Sequence, residues 1–234
     1  MSSIRVALVA EGPTDRVLIE AALKAILPRP FTIAQIQPES TRPQFGGGWC
    51  GVFRWCRDFA ARGYTTLEDD PTLPQFDLIV VHVDADVAEK QYSDGGPALA
   101  ASAAGILTLP CSQPCPPASN SVDALRQRVL HWLNINASGP RTVFCIPSKS
   151  TEAWLATSIL DSAHPLIPGI ECNLDIATDL AQLPLHQRVR KTQRDYQRFA
   201  PIMTTMWSKA VATCAQASRF TEDVASIFQA NPSP

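Results

Sequence analysis

Three acidic side chains stand where apolar runs end: Glu11 after residues 4–10, and Asp84 and Asp86 after residues 77–83. Side chains alternate along a strand, so Asp84 and Asp86 share one side of the chain when extended geometry runs through them. Two carboxylates so placed repel one another unless a cation lies between them. Hard oxygen ligands suit Mg²⁺ or Mn²⁺, which keep several waters and take one or two carboxylates together with phosphate oxygens. Any one of these acids alone is ordinary turn chemistry, or an acid favoured near a helix start. All three at strand ends on one sheet edge are much harder to dismiss, and point to a site for a divalent cation.

Other residues fall near the same chemistry. The stretch 147–155, Pro-Ser-Lys-Ser-Thr-Glu-Ala-Trp-Leu, follows a further apolar run and is expected at the same edge. There Glu152 is a candidate fourth ligand, and Lys149 a cation to offset phosphate charge in the transition state. The structural alternative makes Glu152 a first-turn acid and Trp154 a core residue. His82 shares the face of Asp84 and reads as a hydrogen-bonded structural histidine. Arg188, Arg190, Lys191, Arg194 and Arg198 form the one concentrated basic run, with Tyr196 and Phe199 interleaved to stack on bases. The alternative for that run is a solvated helix face.

The elements that must position these groups follow from periodicity. Residues 4–10 and 77–83 are short β-branched runs, residues 31–37 alternate, and residues 141–146 form a last strand. Pro13 suits a first helical turn, and a helix runs from it to Leu27, where Pro28 stops it. Further helices are expected over 50–61, after the glycine triplet 46–48, over 121–134 and over 151–159. Residues 88–120 lose all period and read as a functional or mobile loop. The alternation of strand and helix describes an α/β fold. Its mainly parallel sheet of about four strands carries helices on both faces, with ligands beyond the carboxyl ends of the strands. Residues 1–165 are read as that domain, and residues 166–234 as a helical C-terminal extension packed on it.

Composition narrows the classes. A hydrophobic share of 45% with 18% charged residues describes a globular chain, and 234 residues suffice for one sizeable core. The net charge of −2 supplies no global field toward nucleic acid or anionic lipid, so binding must come from local patches or metal. Twenty prolines against eleven glycines favour ordered connections. No stretch approaches the run of about 18 apolar residues that a membrane span needs. The first segment, with Arg5 and Glu11, reads as a folded strand and not as a signal peptide. Seven cysteines, an odd number, are read as reduced thiols in a cytoplasm. Cys111 and Cys115 have half of a zinc spacing, but no second Cys or His pair follows.

The segment Val9-Ala10-Glu11-Gly12-Pro13-Thr14-Asp15-Arg16, with Asp84-Ala85-Asp86 after an apolar strand, resembles the Toprim domain. It is most similar to overcoming-lysogenization-defect nucleases and to small stand-alone bacterial Toprim proteins of unassigned function. The resemblance spans residues 4–90 by motif and reaches 160 by element order. Glu-Ala-Trp-Leu at 152–155 is similar to an element of the stand-alone proteins. The resemblance implies a Toprim-like, Rossmann-like sheet and a Mg²⁺- or Mn²⁺-dependent nuclease acting on DNA or RNA. Glu11, Asp84 and Asp86 would be its metal or acid–base residues, and Asp15 would orient its neighbours. It further implies an ATPase partner, since the chain has no Gly-x-x-x-x-Gly-Lys-Ser/Thr loop of its own, and a place in antiphage defence. Two other readings stand beside the nuclease. One is a non-catalytic, metal-dependent module that binds nucleic acid or a partner. The other is nucleotidyl transfer, which needs a nucleotide site for which no separate motif exists.

Overall fold

Alternation makes β1 (Ile4–Val9) a two-sided strand: Ile4, Val6 and Leu8 enter one apolar cluster, Ala7 and Val9 the other. The computed structural model describes residues 3–39, 41 and 43–230. Three further strands, β2 (Phe31–Gln37), β3 (Leu78–His82) and β4 (Thr142–Cys145), join β1 in an all-parallel sheet of order β2-β1-β3-β4. The register pairs Leu8 with Val80, and Val80 with Val143, so apolar residues stack across three strands in layers. Every residue of β3 is buried, as a central parallel strand covered on both faces requires.

Helices cover both faces. On the Val6–Leu8 side lie α1 (Pro13–Ile26) and, from later in the chain, residues 152–159, 176–182, 193–205, 207–213 and 215–230. On the Ala7–Val9 side lie α2 (Gly48–Ala61), α3 (Pro97–Ser102) and α4 (Ser119–Leu133). Numbered onward, the first group continues as α5 (Glu152–Ile159), α6 (Ile176–Gln182), α7 (Gln193–Thr205), α8 (Trp207–Thr213) and α9 (Ala215–Ala230). The C-terminal helices thus share one core with the sheet. Trp154 of α5 packs edge-on to Trp207 of α8, 5.4 Å between ring centres, and stacks on Phe220 of α9 at 5.8 Å. Pro13 stands in the first turn of α1, and α4 ends on Asn134 at φ 56°, a left-handed stop that asparagine tolerates well.

The aperiodic stretch 88–120 holds a 3-10 turn at Tyr92–Gly95 and one short helix, α3, before α4 begins at Ser119, and it is fastened by hydrogen bonds. Cys111 and Ser112 donate backbone N–H groups to Ala88 O at 2.7 and 2.9 Å. Tyr92 Oη donates to Leu107 O and accepts from Trp132 Nε1. These bonds fasten the stretch to the turn at Ala88 and to α4.

The cysteines also depart from expectation. Cys115 and Cys172 form a disulfide, while Cys50, Cys56, Cys111, Cys145 and Cys214 are free. The pairing joins positions 57 residues apart, so no local spacing announces it. Cys111 is buried in the second core cluster. Among the described residues, no helix is long and apolar enough to cross a membrane.

Candidate metal centre

The sheet order makes β1, β3 and β4 neighbours, so the loops leaving their carboxyl ends meet. Glu11 follows β1, and its Oε1 accepts the backbone N–H of Asp84 at 2.8 Å. Asp84 follows β3. Its Oδ1 accepts the Thr151 N–H from the β4 loop at 3.2 Å and lies 3.2 Å from His82 Nε2. Asp15, in the first turn of α1, is four residues past Glu11 and is 4% exposed. One ligand atom from each of Asp15, His82 and Asp84 lies within 4.8 Å of the others.

Glu152, in the first turn of α5, is fully buried. Its Oε1 accepts from Tyr196 Oη and pairs with Lys191 Nζ at 3.0 Å. Its Oε2 finds no partner, nor do Thr151 Oγ1 and His82 Nδ1. A buried carboxylate oxygen or ring nitrogen without a partner costs about 1–3 kcal/mol.

Electrostatics point the same way. Burial pushes Glu11 up to about 8, and the charge of Asp84 adds to the shift, against a smaller pull from His82. Burial, with Glu152 adding to it, raises Asp15. Asp84 is raised further, by burial and then by Asp15, Glu152 and Asp86. Burial would raise Glu152 too, but the Lys191 ammonium and the Tyr196 hydroxyl hold it below the ordinary carboxylate range. Lys191 is raised by Glu152, Asp84 and Asp15, over the opposing effect of its burial. It is the protein's own cation within the acid cluster. Lys191→Met is therefore expected to destabilise the metal-free protein by about 1–2 kcal/mol, the buried-pair cost discounted for the water around the lysine. Its side chain is 54% exposed. Urea unfolding in chelator measures the change, and an unaltered midpoint contradicts it.

The expected site residues fare differently. Extended geometry does not run through Asp84-Ala85-Asp86: Asp84 ends it, and Ala85–Glu89 form a 3-10 turn. The turn forms because the N–H groups of Ala85 and Asp86 go to Pro147 O and Lys149 O, each at 3.1 Å. Asp86 is consequently more exposed, 3.7 Å from Lys90, although Lys191 and Glu152 still influence its carboxylate. Lys149 is buried, with Nζ 2.6 Å from Glu89 Oε1, so its charge is already met.

The basic run does not act as one surface. Arg188 Nε donates to Leu183 O, Arg198 Nη2 donates to His186 O and lies over the Phe199 ring, and Arg190 and Arg194 are exposed. Tyr196 and Phe199 are 1% and 5% exposed, so neither stacks on a base. Only Lys191 of this run enters the acid cluster.

Sequence reasoning gave Asp15 and His82 other roles and assigned none to Tyr196 at the acids. Asp15 was findable: it stands in the first turn of the helix that Pro13 opens, in the same short segment as Glu11. For Tyr196 and Lys191 no local signal exists, because α7 and the residues just before it reach Glu152 only through packing.

No family model, curated protein or solved structure matches the chain. The chemistry of this edge therefore rests on its own atoms.

Proposed function

We propose that this sheet edge holds a divalent cation, Mg²⁺ or Mn²⁺, and that the protein is a metal-dependent nuclease hydrolysing phosphodiester bonds in DNA or RNA. One observation carries the reading: Asp15, His82 and Asp84 offer ligand atoms within 4.8 Å of each other, beside a buried Glu152 oxygen that has no partner. An acid cluster by itself is common on proteins; a buried one with unpartnered donors is not.

The donor set fits such an ion. Carboxylate oxygens from Asp15, Asp84 and Glu152 are hard ligands, and the His82 imidazole adds a nitrogen that Mn²⁺ accepts more readily than Mg²⁺. When bound, the ion supplies positive charge against the charge that develops on the phosphoryl oxygens. Glu11 then has a separate task. Its Oε1 is occupied by the Asp84 N–H, and its other oxygen is left to accept a proton when the carboxylate is ionised. Thr151 N–H and Glu11 together fix the Asp84 carboxylate and its backbone. Asp86, half-exposed at the rim, faces an approaching substrate, and Arg190 and Arg194 are the exposed cations available to phosphates.

The likeness to the Toprim domain supports the same roles for Glu11, Asp84 and Asp86. By analogy it extends the reading to an ATPase partner and to antiphage defence. A binding module without catalysis is the second reading. It is favoured by the pairing of Lys149 and Lys191 within the protein, which leaves few cations to meet a transition state.

Incubation with plasmid, single-stranded DNA and transfer RNA separates the two. The nuclease cuts at least one of them with Mn²⁺ or Mg²⁺, stops in chelator, and stops in Glu11→Ala. Equal cutting by Glu11→Ala and the parent, or binding that survives both chelator and Asp84→Ala with no cleavage, rejects it.

A further inference from the structure

We propose that the Cys115–Cys172 disulfide is a redox-controlled latch on the acid site, so that reducing it weakens divalent-cation binding there. The inference rests on the reading of that edge as a metal centre.

A closed ring of contacts joins the disulfide to the site. Cys115 ends a segment whose Cys111 and Ser112 N–H groups both donate to Ala88 O. Ala88 belongs to the turn Ala85–Glu89 that carries Asp86. Glu89 of that turn pairs with Lys149 Nζ, and the Asp86 N–H donates to Lys149 O. Next to Lys149, Ser148 Oγ donates to Glu171 Oε1, which also accepts the Gln216 N–H at 3.3 Å. Glu171 immediately precedes Cys172, and the disulfide closes the ring with the two Cα atoms 5.7 Å apart.

Residues 148–151 lie at the centre of that ring. Ser148, Lys149 and Thr151 are all buried, and Thr151 N–H is a direct donor to Asp84. The cross-link is therefore the one covalent tie between two segments that each hydrogen-bond to the frame of the site. Groups that orient ligands without touching the ion commonly change metal affinity ten- to a hundredfold.

The bond is also reachable. Both cysteines are half-buried, and a cavity of about 470 Å³ lined by Pro116, Pro117, Ile167, Gly169, Cys172 and Ala215 opens beside them. A dithiol reductant attacks one sulfur as its thiolate, forming a mixed disulfide and releasing the other cysteine as a thiolate. The reductant's second thiolate then displaces the remaining cysteine. Two electrons pass to the protein, two protons complete its thiols, and the reductant leaves as a disulfide.

The test titrates Mn²⁺ by calorimetry into air-oxidised protein and into the same protein kept in dithiothreitol. Amide exchange over residues 85–89 and 148–151, measured without metal, is the second readout. Reduction should weaken Mn²⁺ binding about tenfold and speed exchange in both segments. Cys115→Ser should match the reduced form with or without reductant. Equal affinity and equal exchange in the two forms overturn the latch, as does a peptide map in which Cys115 and Cys172 are unlinked after oxidation. If neither form binds Mn²⁺ while the exchange difference persists, the metal reading fails and the coupling from disulfide to site stands.

Discussion

Asp84→Asn is expected to abolish Mn²⁺ binding and to lower metal-dependent cleavage by about a thousandfold, while making the metal-free protein more stable. Both effects come from one carboxylate. Asp84 is 6% exposed, accepts from Thr151 N–H, faces His82 and lies among Asp15, Glu152 and Asp86. Asparagine keeps the carbonyl oxygen for Thr151 and leaves the backbone N–H that Glu11 accepts. The negative charge is lost, and the second oxygen is replaced by an amide group that donates. Without metal, that charge is repelled by its neighbours, so its removal should stabilise by about 1–3 kcal/mol at pH 8. With metal, the same charge is a principal ligand, and losing one such electrostatic contact typically reduces rate by a factor of about 10²–10³. Calorimetric titration with Mn²⁺ and thermal unfolding in chelator measure the two halves. A variant that binds Mn²⁺ as the parent does, or that melts lower in chelator, refutes the assignment.

The second large effect is on pH. In chelator, the melting temperature should fall as pH rises from about 5 to about 8, the reverse of the usual acid denaturation. Glu11 titrates at about 8 in the folded protein, against 4.5 for an ordinary glutamate. Between those values the unfolded chain has released its proton and the folded chain retains it, so each step up in pH favours unfolding. Burial and neighbouring acids raise Asp15, Asp84 and Asp86 as well, and their contributions have the same sign. Glu152 is lowered and works in the opposite direction, its stabilisation being present above its unfolded value and lost toward acid. Three raised carboxylates beside Glu11 outweigh it. The net loss is on the order of 3 kcal/mol, which for a chain of this size corresponds to about 6–12 °C. Saturating Mn²⁺ should remove most of the slope, because the ion favours the ionised acids. A melting temperature that rises from pH 5 to pH 8 in chelator would show that these acids are ionised without penalty.

The frame of the site was readable before any fold was known. Residues 4–10 and 77–83 are apolar on both faces, which is the pattern of a central parallel strand, and each ends on acids. Pro13, Pro28 and Asn134 punctuate helices where their backbone chemistry requires. Trp154 is a core residue, and Glu152 in the same helical turn faces Lys191 and Tyr196. Alternation failed at Asp86, because the chain leaves the sheet where Pro147 and Lys149 carbonyls take its N–H groups. In the basic run, Tyr196 and Phe199 turn inward to the core shared with α1 and α5 instead of facing solvent.

Local period and residue type thus determined by themselves the strands, their parallel α/β order and the presence of acids at their carboxyl ends. Each of those depends on residues a few positions apart. Tertiary structure alone decided that Lys191 and Tyr196 meet Glu152, the latter across 44 residues, and that Cys115 finds Cys172. These meetings depend on how whole helices stack on the sheet, and the energy that sets the stacking is spread over a core far from the groups it brings together.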